Sequence, residues 1–100
     1  MTPSRILLMA VLVAVPVAAN SQENPIARSL AATCANCHGT EGRSATKEVV
    51  SLAGLPKEQI VSQMKAFKDG TRPATIMHQL AKGYTDQQID LLAAYFAAKK

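Results

Sequence analysis

One hundred residues, with 11 Lys and Arg against 7 Asp and Glu and a formal net charge of +4, allow a single small domain. The basic side chains are spread along the chain, with no dense cluster and no interleaved aromatics, which argues against a nucleic-acid binder. Their mild excess suits steering toward an acidic protein partner instead.

The first nineteen residues read as an address rather than as fold. Arg5 and the amino terminus supply positive charge, "ILLMAVLVAV" supplies an apolar run, and Val17, Ala18 and Ala19 supply small residues for cleavage before Asn20. The expectation is a secretory signal peptide over 1–19, export to the periplasm, and a mature domain over 20–100 with net charge +3 once Arg5 is lost. Ile6 to Ala19 is fourteen residues where a spanning helix needs roughly twenty, and Pro16 interrupts it, so no permanent membrane anchor is expected. A mature chain this small has little core of its own, and domains of that size often lean on a metal, disulfides or a cofactor.

Asn24 before Pro25 reads as an N-cap with proline at the first helical position. "IARSLAATCANC" then forms one short helix with both cysteines at its end. "HGTEGRSATKEVVSLAG" has three glycines and no helical period, and is expected to be a wrapped loop. Pro56 opens "PKEQIVSQMKAFKDG", where Ile60, Val61, Met64 and Phe67 make an apolar stripe that Gly70 ends. A turn at Pro73 leads to a short helix from about Thr75 to Lys82. Thr85, with Gln88 three residues on, forms a capping-box pattern for a last helix striped by Ile89, Leu92, Ala93 and Phe96. No strand alternation or repeat is present, so the fold class is all-α, with three to five helices.

The chemistry concentrates in "TCANCHGTEG", which holds both cysteines, Cys34 and Cys37, and His38. A disulfide across a two-residue spacer closes a very small loop and constrains little of the unfolded chain. A structural zinc site needs four ligands, and His78 is the only other Cys or His in the chain. A thioredoxin-like dithiol would want a βαβ pattern, which is absent. The CxxCH spacing suits one covalent haem c: two thiols a helical turn apart can bond the two vinyl groups on one ring edge, and the next residue offers an imidazole to the iron.

With His38 as proximal ligand, the candidates for the distal position are Met64, Met77 and His78. Met64 belongs to an apolar helical stripe, where methionine is usually core. Met77 follows the Pro73 turn, 39 residues beyond His38, and is the favoured ligand. His78 points away from its neighbour, so both cannot bind, and it reads as an exposed histidine at the haem edge.

These residues resemble small bacterial class I c-type cytochromes. "LAATCANCHGTEGRS", "SLAGLPKEQIVSQMKAFKDGTR" and "IMHQLAKGYTDQQIDLLAAYFAAK" look like the segments of the c4 and c553 group, and are especially similar to the cytochrome subunit of flavocytochrome c sulfide dehydrogenase. The likeness runs from about Ile26 to Lys100 and implies a class I fold wrapped around one haem, with Leu30 meeting Leu92 and Tyr95 where the first and last helices cross. It also implies Met77 as the distal ligand. One departure stands out: where the family usually has a proline whose carbonyl accepts from the proximal histidine, this chain has Val50.

The functional expectation is one-electron transfer through haem c with His38 and Met77 as axial ligands and Cys34 and Cys37 as thioethers. The carrier is either the haem subunit of a sulfide-oxidising flavoenzyme, paired with a flavoprotein sulfide dehydrogenase subunit, or a free soluble shuttle serving other redox partner proteins. A haem-based ligand-binding or sensing protein is the rival from another class, and it would need an open or readily displaced axial position. No other catalytic constellation is present, so no catalysis by this chain alone is expected.

Overall fold

A computed structural model describes residues 10–15 and 23–100. The expected leader over 1–19 and its cleavage point lie largely outside the described residues. Among the described residues the chain folds as five α-helices with no strand: α1 (Pro25–Ala32), α2 (Ala35–His38), α3 (Lys57–Asp69), α4 (Met77–Ala81) and α5 (Asp86–Ala97). No helix among them is long and apolar enough to cross a membrane.

Helix α1 starts as expected. The Asn24 side chain accepts from the N–H groups of Ile26 and Ala27 at 2.9 and 3.2 Å, satisfying two of the donors a helix start leaves free. The single helix expected across the cysteines is instead two. Cys34 N–H bonds back to Ala31 O, three residues earlier, at 3.1 Å, and the α register resumes only with His38 N–H to Cys34 O at 2.9 Å. Thr33 and Cys34 keep helical dihedrals, so the break is a tightening of one turn, not a change of direction.

The wrapped loop contains a 3-10 turn at Thr40–Gly42 that the residue pattern did not announce. Around it the backbone turns sharply: Gly39, Glu41 and Gly42 all have positive φ, at 86°, 55° and 81°. Gly39 is obligatory, because a Cβ there would sit 1.8 Å from Arg43 O. Glu41 tolerates its left-handed backbone with its carboxylate 2.6 Å from the Arg43 guanidinium.

Helix α3 runs from the Pro56 cap to Gly70, with Ile60 and Met64 buried and Val61 and Phe67 half-buried. Met64 is therefore core. Helix α4 is shorter than expected, and α5 carries the full capping box, with Gln88 N–H donating to Thr85 Oγ1 at 3.1 Å and Thr85 N–H to Gln88 Oε1 at 2.9 Å.

Helix α5 is the frame of the domain. Ile89, Leu92, Ala93 and Phe96 are all buried, each large side chain being worth about 1.5–3 kcal/mol when taken from water. Helices α1 and α3 both pack on α5, and α4 packs on α3. Ala27 and Ala31 let α1 approach closely, and Leu30 and Tyr95 both pack against the buried cluster that holds Leu92. The C-terminal end is tied back: Gly54 N–H donates to Phe96 O at 2.9 Å and Arg43 Nε–H to Lys100 O at 2.7 Å.

Candidate functional site

The α turn that closes on His38 puts Cys34, Cys37 and His38 at i, i+3 and i+4, on one helical face. Cys34 is half-buried against the core cluster, Cys37 is exposed, and both are free thiols. Burial pushes the Cys34 thiol up, against smaller opposing contributions from hydrogen bonding with Thr33 and its own backbone.

His38 Nδ1 lies 2.7 Å from Val50 O. A carbonyl can only accept, so Nδ1 carries the hydrogen and Nε2 keeps its lone pair free for a metal. Val50 therefore supplies the same backbone acceptor that a proline would at this position, and the departure from the family pattern does not cost the bond.

Met77 is the first residue of α4, half-buried against the same core cluster as Cys34. Its partner candidate differs from the expectation of an exposed histidine: His78 is half-buried, and its Nδ1 is a fully buried side-chain atom with no hydrogen-bond partner among the described residues. Such an atom is costly unless something polar meets it. On the segments that carry the Val50 acceptor and Met77, the apolar side chains Val50, Ile76 and Leu80 leave 57, 55 and 47 % of their surface exposed.

Two ties that the residue pattern did not disclose hold these segments in register. Thr33 Oγ1 and Tyr84 OH are 2.8 Å apart, joining the turn before Cys34 to the turn after α4. Lys68 Nζ donates to Tyr84 O at 2.7 Å, adding the end of α3. Neither tie has a local sequence signal, because each joins residues far apart in the chain. A cleft of about 530 Å³ lies elsewhere, along α3 and α5, and its lining, which includes Lys57, Glu58, Lys65, Asp69 and Asp90, has no cysteine, histidine or methionine.

Comparison with known proteins bears on the same segments. The family model described as Cytochrome c matches residues 26–98. The cytochrome subunit of sulfide dehydrogenase from Chlorobaculum tepidum is 43 % identical over 67 residues, covering 67 % of this chain and 60 % of the relative. Cytochrome c4 from Pseudomonas aeruginosa is 39 % identical over 70 residues, covering 70 % of this chain and 35 % of the relative. The chain thus spans less than two thirds of the length of the first relative and about one third of the second. A solved cytochrome c4 from Acidithiobacillus ferrooxidans superposes with a TM-score of 0.66 at 28 % identity, over 79 % of this chain and 52 % of that one.

Proposed function

The chain belongs to the cytochrome c family, whose members bind covalently attached haem c, and from that premise we propose that Cys34, Cys37, His38 and Met77 hold its single haem and that it works in the periplasm as the haem subunit of a sulfide-oxidising enzyme. The all-α class I fold and electron transfer as the chain's role follow from the family itself.

The observation that carries the site assignment is the 2.7 Å contact from His38 Nδ1 to Val50 O. It fixes the tautomer and aims the free Nε2 lone pair, and a carbonyl behind a ligating imidazole raises its basicity. The residues fit the group in three further respects. Cys34 and Cys37 present two thiols a turn apart, and each S–H can add across one vinyl group, sulfur to one carbon and hydrogen to the other, with no net oxidation. Val50, Ile76 and Leu80 offer apolar surface for a flat apolar ring to cover. The buried, unpartnered His78 Nδ1 matches a bound group with polar substituents of its own.

When bound, the haem supplies a one-electron Fe(III)/Fe(II) couple. His38 and Met77 would hold the iron as its two protein ligands, which would leave no place at the metal for a substrate. As a ligand, the soft thioether of Met77 would favour the ferrous state relative to a second imidazole. Cys34 and Cys37 would fix the ring to the polypeptide, and the two ligand-bearing segments, α2 and α4, rest on α1 and α3, which both pack on α5.

The assignment to a sulfide-oxidising enzyme is supported by the 43 % identity to the Chlorobaculum tepidum subunit. A flavoprotein would there oxidise sulfide and pass electrons singly to this chain. Native purification from a periplasmic extract tests it: haem and flavin absorbance eluting together, with the haem reduced on adding sulfide, is the expected result. Haem alone at the size of a small monomer or dimer would refute the subunit role and leave the free shuttle.

A further inference from the structure

The loop between the 3-10 turn and α3 is closed by hydrogen bonds rather than by packing. Gly42 O accepts from both Leu52 N–H and Ala53 N–H, at 2.8 and 3.1 Å. One step further out, Ser44 N–H donates to Ser51 Oγ at 2.9 Å. Ser44 Oγ in turn donates to Thr46 O at 2.9 Å, which folds the outgoing limb of the loop back on itself. Residues 45–48, 50 and 51 are exposed, and none of the residues from 43 to 51 belongs to the buried core.

The carbonyl that meets His38 Nδ1 belongs to Val50, and its peptide plane is shared with Ser51. Whatever fixes Ser51 therefore fixes the direction of that carbonyl. The Val50 side chain, 57 % exposed, cannot do so by packing. Leu52 is pinned to Gly42 on the far side, and the Ser51 hydroxyl is the only side-chain group of the Val50–Ser51 unit that makes a hydrogen bond among the described residues.

We propose that Ser51 is a positioning residue for the haem ligand: by accepting from Ser44 N–H, its hydroxyl holds the Val50 carbonyl on His38 Nδ1–H and so sets how much electron density the imidazole gives to the iron. The role rests on the reading of His38 as proximal ligand. A well-aimed acceptor gives the imidazole partial imidazolate character and favours ferric iron. Loosening the acceptor moves the couple toward ferrous iron and lets the Nδ1–H meet solvent more often.

Two holoprotein variants of equal shape isolate the hydroxyl: Ser51→Thr keeps it and Ser51→Val replaces it with a methyl. The readouts are solvent exchange of the His38 Nδ1–H by NMR in the diamagnetic ferrous protein, and the reduction potential. Ser51→Val is expected to speed exchange about threefold and to shift the ferrous/ferric equilibrium about threefold toward ferrous, the lower part of what one hydrogen bond is worth. At 59 mV per decade for one electron that is an upward shift of about 28 mV. Ser51→Thr is expected to match the wild type in both. Equal behaviour of the two variants, whether both change or neither does, overturns the role of the hydroxyl. A wild-type His38 Nδ1–H signal without the haem ring-current shift overturns the ligand reading, and the Ser51 role with it.

Discussion

Gly42→Ala is the substitution whose cost can be worked most fully from the structure. Its φ of 81° lies in the left-handed region, where a side chain costs about 1–2 kcal/mol per residue. The added Cβ would stand 2.7 Å from Phe96 Cδ1 and 3.0 Å from Ala53 N. Phe96 is 1 % exposed and cannot swing away, so overpacking adds about 1–3 kcal/mol. The two contributions together make about 2–5 kcal/mol, a large share of the stability of a domain this size. Denaturant titration of the holoprotein followed by circular dichroism measures it, and the melting temperature should fall by at least about 8 °C. Phe96→Leu removes the ring atoms that the new Cβ would meet, so the double variant should recover about 1 kcal/mol relative to the sum of the singles. A Gly42→Ala cost below about 0.5 kcal/mol, or strict additivity with Phe96→Leu, would refute the account of this contact.

Further consequences reach the caps, the charges and the iron. Thr85→Ala removes one half of the capping box and should destabilise by about 1 kcal/mol in the same titration, with Thr85→Ser restoring most of it. Glu41 is held below the usual carboxylate range, first by its hydrogen bond with Arg43 and then by Lys99. Its contribution is thus fully present above the unfolded value of about 4.3 and is lost as pH falls through the lower folded value. Glu41→Gln should therefore flatten the acid limb of the stability profile and leave the slope above pH 6 unchanged. Met77→Ala should abolish the far-red sulfur-to-iron band and let carbon monoxide bind promptly to the reduced protein, to which the wild type stays inert. Retention of that band in the variant would remove Met77 from the site.

The parts of the fold that were legible in the sequence are those written in local signals. Asn24–Pro25, Pro56 and Gly70, and Thr85 with Gln88 mark their helix ends by chemistry within a few residues. The stripe of α5 was complete, because a helix packed on two neighbours must spend its large apolar residues on them. The split between α1 and α2 was not legible, since Thr33 and Cys34 keep helical dihedrals and only the hydrogen-bond register changes. The loop closure on Gly42 O depends on partners ten and eleven residues away, and the 3-10 turn passes through a left-handed Glu41 that no residue pattern announces. At the site, the Cys34–Cys37–His38 group was legible as chemistry, and the survival of the His38 bond with Val50 as acceptor was open until the backbone was seen. The burial of His78 Nδ1 had no local signal, because burial of one atom is set by tertiary packing.

The intact mass of the chain purified from a periplasmic extract tests the central claim most directly. The account predicts residues 20–100 plus one haem, retained under denaturing conditions, with neither Cys34 nor Cys37 available to an alkylating reagent even after reduction. A mass without haem, and two cysteines that alkylate once reduced, would contradict it.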